Sequence, residues 1–291
     1  MDEKRTLDEL FALYELEPTL TDIYVEGATD KAIIEWFLER QSVSGVNVYS
    51  IDLIDISNMV IQKHGLNTRS NRSKIVALSA ELYSQLQERI TVLCIADRDF
   101  EDYIPKVTPH PLLCFTDGNS METYIFNEPC LRKFTSLVLG GFALSPRELL
   151  QCLEGILRKV YAMRLANEVL GWNMKNLDFT RYVSLIGKRV EFDEKGYIRA
   201  YLQKNGKWSY RQRFLDNVNE CVMNLSSDCT RSARGHDLSE LLHHLIRRLR
   251  PDRKFGNRET LEGALLGTME SSDLQSYPLF CKIMALRMSH N

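Results

Sequence analysis

An apolar run over residues 90–96 leads directly into Asp97-Arg98-Asp99, and it limits what this chain can fold into more than any other feature. The run is short, continuous and free of polar alternation, which is typical of a strand buried on both faces. Such strands occur in parallel sheets that are covered by helices. The sequence therefore predicts an α/β layer built around this strand.

Other predicted strands and helices alternate with the apolar run over the first part of the chain. The further strands are predicted at 22–25, 46–51 and 111–115. Helices are predicted at 7–16, from Thr29 through 37, at 73–86 and from about Ser120, with an irregular connection over 52–70. This order predicts a mainly parallel sheet flanked by helices.

The second half of the chain changes to long helical stripes. These begin at Pro146 and include 149–170, and a small hairpin is predicted around 189–201 with Lys195-Gly196 as its turn. The length of 291 residues predicts about two domains. We expect an α/β domain over 1–140 and a mostly helical, basic C-terminal region over 141–291 that binds substrate and partners.

Charge is distributed unevenly between these halves. Residues 1–130 carry 11 basic against 22 acidic side chains, whereas residues 181–258 carry 17 against 9. This pattern predicts carboxylates that hold cations in one half and a surface that attracts polyanions in the other. The alternative is two solvated faces that pair with each other.

Composition excludes several classes of protein. No apolar run approaches the ~20 residues that span a bilayer, and the opening residues resemble no signal peptide. The seven cysteines are odd in number and form no C-x-x-C pair, so neither a disulfide framework nor a zinc ribbon is expected. We expect a reduced, soluble, cytoplasmic protein without a membrane partner.

Acidic residues follow three of the predicted strands. Glu26 follows the first strand, Asp97 and Asp99 follow the third, and Glu122 lies in the helix after the fourth. Carboxylates that converge at the carboxyl ends of parallel strands repel one another unless a hard cation such as Mg²⁺ binds them. An ordinary acidic turn is the alternative for each motif taken alone. A phosphatase that uses Asp-x-Asp as nucleophile and acid is another, but it leaves Glu26 and Glu122 unexplained.

The order of these motifs resembles the TOPRIM fold of topoisomerases, primases and OLD-family nucleases. Three segments carry the resemblance: YVEGATDK at 24–31, IADRD at 95–99 and DGNSME at 117–122. They look most like the effector nucleases of PARIS anti-phage defence systems. The motif match covers about residues 20–130, and beyond it only the chain length and the helical C-terminal half are similar.

The resemblance implies a role for each acidic residue. Glu26 would be the catalytic carboxylate, acting as general acid or base or as a metal ligand. Asp97 and Asp99 would be catalytic residues that hold Mg²⁺ or Mn²⁺. Glu122 would be a further ligand, and Asp30 a supporting residue or a ligand of a second metal.

The resemblance also implies partners. Effector nucleases of this kind are toxins that an ABC-type ATPase of the same system holds inactive; once released, they cleave host tRNA. This chain contains no G-x-x-x-x-G-K-[ST] phosphate loop, so the ATPase would have to be a separate protein. A homodimer would help two active sites hold one structured RNA. A DNA-nicking OLD-like nuclease and a catalytically silent module that binds an ATPase or a phage protein are the alternatives.

Basic residues of the second half are candidates for nucleic-acid binding. His236 is a catalytic candidate, as a possible proton donor. The first group of basic candidates precedes or follows it in the chain and consists of Arg231, Arg234, Arg247 and Arg248. A second group interleaves basic and aromatic residues, as suits looped RNA: Lys204, Lys207, Trp208 and Arg211. The structural alternatives are a capped amphipathic helix for the first group and a partner surface for the second. The pair His243-His244 lacks the spacing of a zinc site and receives no ligand role.

Overall fold

The computed structural model describes residues 4–251 and 255–286, and these form two compact units. The sheet unit contains the described residues up to Asp117 together with those from Glu270 onward, and the helical unit is Gly118–Met269. The division differs from the single predicted boundary after residue 140, because the last helices of the chain belong with the sheet.

The helices and strands agree closely in position with the periodicity of the sequence. The helices are α1 (Leu7–Leu16), α2 (Ala28–Arg40), α3 (Asn58–Lys63), α4 (Asn71–Leu86), α5 (Glu128–Lys133), α6 (Pro146–Val169), α7 (Glu194–Lys204), α8 (Arg211–Asn224), α9 (Gly235–Leu249), α10 (Arg258–Leu266), α11 (Ser271–Leu274) and α12 (Pro278–Leu286). The strands are β1 (Arg5–Thr6), β2 (Thr21–Val25), β3 (Val46–Ser50), β4 (Ile54–Asp55), β5 (Thr91–Ala96), β6 (Leu113–Phe115), β7 (Val183–Ile186) and β8 (Arg189–Phe192).

Four strands of the sheet unit form one parallel sheet, as the sequence predicts. Their order is β3-β2-β5-β6, and every pairing is parallel. All five residues of β2 are buried, as are the last five of β5, which explains the continuous apolar run. The buried charged residue of β2 is Asp22, whose carboxylate accepts hydrogen bonds from the Tyr14 hydroxyl at 2.7 Å and from the Asn47 amide at 2.9 Å.

The strand order places a switch point between β2 and β5. The chain passes from β2 to β3 on one side and later returns to β5 on the other side of β2. In open α/β sheets, ligands bind in the crevice outside the carboxyl ends of the strands at such a point. Glu26 follows β2 and Asp97 follows β5, so the fold brings the first two acidic motifs to this crevice.

Helix α12 completes the sheet unit from the far end of the chain. The Phe280 ring lies edge-on to Phe37 of α2 at 4.7 Å between centroids. The Asp117 carboxylate accepts from the backbone N–H of Leu279 at 3.3 Å, in the first turn of α12, where an acidic group stabilises a helix. These contacts explain why a segment expected with the basic region belongs with the sheet.

The helical unit is organised around α6, a 24-residue helix against which α8 and α9 pack. Its apolar stripe is buried, as in Leu153 and Val160. The buried carboxylate of Asp237 on α9 pairs with Arg164 of α6 at 2.6 Å. A charged contact therefore connects two helices that each bury an apolar stripe.

Three local predictions require correction. The hairpin is β7-β8 with Gly187-Lys188 as its turn, whereas Lys195-Gly196 lies in α7, where Asp193 caps the Gly196 N–H at 2.9 Å. The expected irregular connection over 52–70 contains α3 and β4, which pairs with β1. The helix expected from about Ser120 is a short 3₁₀ turn, Met121–Ile125.

Among the described helices, none combines the length and the apolar character that a membrane crossing requires.

Candidate functional site

Glu26 is held at the switch point by the loop after β5 and by the first turn of α4. Its Oε1 accepts a hydrogen bond from the backbone N–H of Asp97 at 2.7 Å. Its own carbonyl oxygen accepts from Asn71 Nδ2, in the first turn of α4, at 2.9 Å. The side chain that follows β2 is thus tied directly to the first residue after β5.

The Asp97–Asp99 loop adopts a backbone conformation that suits its sequence. Asp99 has φ +48°, in the left-handed region that Asp and Asn tolerate better than most residues. Arg72 of α4 holds the loop, because its Nε donates to the Asp97 carbonyl at 2.8 Å. The same guanidinium donates to Glu101 at 2.7 Å and lies 3.7 Å from the Asp99 carboxylate.

Asp30 has a defined structural role at the start of α2. Its Oδ2 accepts from the Gly27 N–H at 3.1 Å, so it caps the first turn of the helix that follows Glu26. Acidic groups in the first helical turn are favoured by the helix dipole. This contact accounts for Asp30 without a metal, while its negative charge still acts on Glu26.

The environment of Glu26 disfavours a negative charge. Burial raises the pKa of Glu26 to about 8, and the neighbouring Asp99 and Asp30 carboxylates act in the same direction. The Asp97 N–H and the Arg72 guanidinium oppose this increase only in part. A carboxyl group with a pKa perturbed by burial and by other carboxylates, in a crevice, is a candidate for a functional role.

The carboxylates suit a magnesium ion only in part. Among residues 4–251 and 255–286, no three or more His, Cys, Asp or Glu side chains are arranged to hold a metal ion together. Mg²⁺, however, is commonly held by one or two carboxylates, with waters and substrate phosphates completing its coordination. Glu26, Asp97 and Asp99 offer oxygen ligands of the type that Mg²⁺ or Mn²⁺ requires, so these are the residues that could hold such a cation, one or two at a time.

Glu122, expected as a further ligand, belongs to the helical unit. It lies in the 3₁₀ turn Met121–Ile125 against the first residue of α9, Gly235. A Cβ on Gly235 would come within 2.6 Å of Glu122 Oε2 and 2.7 Å of Ser120 Oγ, so glycine is required for this close approach. An acidic side chain beside a helix N-terminus is also stabilised by the dipole.

The predicted basic residues around α9 lie on two parts of that helix. Arg234 precedes it, and Arg247 and Arg248 occupy its last turn; all three line one cavity. His236 lies in the first turn on the same cavity, with its side chain largely exposed and its Nδ1 3.7 Å from the Glu262 carboxylate. Arg231 lies in the 3₁₀ turn Cys229–Arg231 before the helix.

The aromatic-basic segment forms a separate cluster of cation–π pairs. Lys207 lies 5.3 Å from the centre of the Trp172 ring, and the Arg211 guanidinium lies 5.5 Å from that of Trp208. The Lys204 ammonium donates to the Asn176 carbonyl at 2.9 Å, at the end of α7. The Trp208 ring is 38% exposed, which leaves room for a base or a protein partner to stack on it.

Arg72 has a structural role that the sequence does not reveal. It is one of three basic residues at or just before the start of α4, with Arg69 and Lys74, yet its side chain is largely buried and joins the Asp97 carbonyl to Glu101. No periodic signal separates Arg72 from its neighbours, because its role depends on a loop 25 residues away.

Comparison with protein-family models finds no match for the chain, and comparison with curated proteins finds none either.

Proposed function

We propose that the protein is a TOPRIM-type, Mg²⁺-dependent endoribonuclease. The observation that carries the proposal is the hydrogen bond between Glu26 and the Asp97 N–H at 2.7 Å, at the switch point of a parallel sheet. It places the two acidic motifs in the crevice where such sheets bind ligands. The resemblance of these motifs to those of TOPRIM nucleases supplies the reaction class.

Each residue has a distinct task in this proposal. Glu26 takes a proton from the attacking hydroxyl or water, since its carboxylate is held against the loop after β5. As the attacking oxygen bonds to phosphorus, the bond from phosphorus to the leaving oxygen breaks, and that oxygen takes a proton from water. Asp97 and Asp99 would hold the divalent cation with Glu26, and Arg72 fixes the loop that carries them. The bound cation would neutralise charge that develops on the phosphoryl oxygens.

The substrate and biological role follow from the resemblance together with the basic surfaces. Arg234, Arg247 and Arg248 at one cavity, and the Lys207–Trp208–Arg211 segment, offer phosphate contacts and stacking surfaces of the kind that structured RNA requires. We propose host tRNA as the substrate and a toxin role in anti-phage abortive infection. A separate ABC-type ATPase would hold the protein inactive, and a homodimer would be the active form.

A second candidate is a catalytically silent TOPRIM-like module that binds such an ATPase or a phage protein. One observation favours it: the described residues contain no preassembled group of three metal-ligating side chains. In this case Arg72 and Asp30 would serve to neutralise and cap the acidic loops.

The test is cleavage of total tRNA and of supercoiled plasmid DNA, each with Mg²⁺ and with EDTA. Wild type is compared with Glu26→Gln, which keeps an acceptor for the Asp97 N–H, and with Glu35→Gln, which removes an exposed charge from α2. We expect discrete tRNA fragments from wild type and from Glu35→Gln in Mg²⁺ only. Glu26→Gln should be at least about 10³-fold slower, because the proton-accepting group is lost.

Three other outcomes would contradict parts of the proposal. Mg²⁺-dependent nicking of plasmid alone would keep the acidic site but assign it to a DNA-nicking, OLD-like nuclease. Cleavage that is equal in Glu26→Gln would remove the assigned role of Glu26. No cleavage of either substrate by folded protein would favour the silent module.

A further inference from the structure

The helical unit contains a polar cavity of about 780 Å³. One wall is the polar face of α9, where lining residues recur three and four positions apart at 236, 240, 243, 244, 247 and 248. The opposite face of α9 is apolar and buried, as in Leu241 and Leu245. The two faces of this amphipathic helix therefore have different roles. The apolar face packs against the rest of the helical unit, and the polar face lines the cavity.

The cavity is unusually rich in cationic side chains. Its arginines are Arg164, Arg234, Arg247, Arg248 and Arg258, and its histidines are at 236, 243 and 244. The lining also contains three acidic residues, Asp178, Asp237 and Glu240. The arginines outnumber these carboxylates, so the formal charge of the lining is positive even with neutral histidines.

The lining carboxylates are already engaged with particular partners. Asp237 pairs with Arg164 at 2.6 Å, and Glu240 lies 3.4 Å from Arg258. The Asp178 carboxylate accepts from Thr180, which also lines the cavity, and from Arg181, which does not. They are therefore occupied before any ligand arrives.

Three of the cavity arginines lack such a partner. Within the part of the chain that the structure describes, Arg234, Arg247 and Arg248 make no ion pair. Arg247 and Arg248 are exposed and Arg234 is half-buried. No carboxylate of the described residues therefore pairs with these three charges, and guanidinium groups bind phosphate through two parallel N–H donors.

Two histidines indicate the same kind of ligand. The Nε2 atom of His243 is buried yet has no hydrogen-bond partner, and a buried polar atom in that state calls for a missing partner such as an ion or water. Burial lowers the pKa of the neighbouring His244, and the positive charges of Arg248 and Arg247 add to this effect, whereas the hydrogen bond with the Val183 carbonyl and the Asp178 carboxylate oppose it. Arg247 and Arg248 line the same cavity as these histidines, so their positive charges favour an anion there.

We propose that this cavity is a phosphate-binding site, formed by Arg234, His243, Arg247 and Arg248. Its volume is within the range of ligand pockets and is large enough for several linked phosphate groups. The phosphates would come from a free nucleotide or polyphosphate, or from a nucleic-acid backbone, since both present the same oxygens. The inference does not depend on nuclease activity, because binding can be measured without cleavage.

The test is titration calorimetry of the full chain at low ionic strength in EDTA. The two probes are inorganic pyrophosphate and a short single-stranded RNA, which distinguish the two sources of phosphate. The double variant Arg247→Gln/Arg248→Gln removes two unpaired cavity charges. The control Arg147→Gln/Arg199→Gln removes two exposed charges of the same unit that lie outside the cavity.

We expect at least one probe to bind wild type and the control, and to bind the cavity variant at least about tenfold more weakly. Binding of pyrophosphate would show that the site accepts free phosphate compounds, whether or not RNA displaces the pyrophosphate. Binding of RNA alone, with the same loss in the cavity variant, would assign the site to a nucleic-acid backbone. Failure of both probes to bind, or an equal loss in the control, would overturn the proposal.

Discussion

Each of the two units contains a carboxylate that is at least half-buried, and the charges around these two carboxylates are opposite in sign. In the helical unit, Asp237 is buried and forms an ion pair with Arg164 at 2.6 Å. In the sheet unit, Glu26 is half-buried and accepts a hydrogen bond from a neutral backbone N–H, with the Asp99 and Asp30 carboxylates nearby. One carboxylate is neutralised within its own unit, whereas the other is surrounded by more negative charge.

This difference separates a structural carboxylate from a functional candidate. A buried ion pair satisfies both charges, and removing one partner is costly because the other remains buried. A group of carboxylates without adequate compensation keeps a free-energy penalty that a cation or a proton can relieve. The contrast therefore predicts that similar charge-removing substitutions in the two units change stability in opposite directions.

The largest expected effect is on the helical unit. Asp237→Asn should destabilise the protein by about 3 kcal/mol, because it leaves the Arg164 guanidinium, itself only 11% exposed, without its charged partner. The measurement is the free energy of unfolding in urea. Glu191→Gln is the matched control: its ion pair with Arg189 is exposed, so we expect a loss below about 0.5 kcal/mol. A similar loss of unfolding free energy in both variants would show that the buried Asp237–Arg164 pair stabilises the protein no more than an exposed pair does.

The next effect concerns the pH dependence of the sheet unit without metal. Because the pKa of Glu26 rises from 4.5 to about 8 on folding, unfolding releases a proton between these values and wild-type stability falls as pH rises through them. Glu26→Gln lacks this penalty. Its stability relative to wild type should therefore increase from pH 5 to pH 8. We expect an increase on the order of 2 kcal/mol, which is less than the full shift implies at about 1.4 kcal/mol per pKa unit, because Glu26 is only half-buried and solvent screens its charge.

The measurement is urea unfolding of both proteins in EDTA at the two pH values. Glu35→Gln is the control, because its side chain is 49% exposed and pairs with Lys31 on the same helix. Its stability relative to wild type should stay constant over this interval. If the unfolding free energy of Glu26→Gln relative to wild type is also the same at both pH values, folding does not raise the pKa of Glu26.

Much of the sheet unit is predictable from sequence because its signals are local. The apolar run at 90–96 predicts β5, and the stripe at 7–16 predicts α1 with its observed bounds. The parallel order then brings Glu26 and Asp97 to one edge without further information. The position of α12 carries no such signal, since it depends on Asp117 and Phe37, which are distant in sequence.

The helical unit is predictable in its helices but not in its site. The stripe of α9 is evident from the sequence, yet the partners of its polar face are not. Arg164 lies in the last third of α6, and nothing in its local sequence indicates that it binds Asp237. The hairpin prediction is wrong for a related reason, because Asp193 followed by Gly196 is compatible both with a turn and with the helix cap that Asp193 forms.

The smallest effect tests whether repulsion at the acidic edge or the shape of its loop matters more. Asp99→Asn keeps a side chain that tolerates φ +48° and removes a negative charge near Glu26, but it also loses the 3.7 Å contact with Arg72. We expect a gain below about 1 kcal/mol in EDTA, because exposed charges interact weakly. Asp99→Ala removes the same charge but places an alanine in the left-handed region, so it should be destabilised by about 1 kcal/mol relative to Asp99→Asn. Thermal melts of both variants against wild type provide the comparison. If Asp99→Asn is also destabilised, the attraction of Asp99 to Arg72 outweighs its repulsion from Glu26. The negative charge of Asp99 is then neutralised by an arginine of its own unit, as that of Asp237 is.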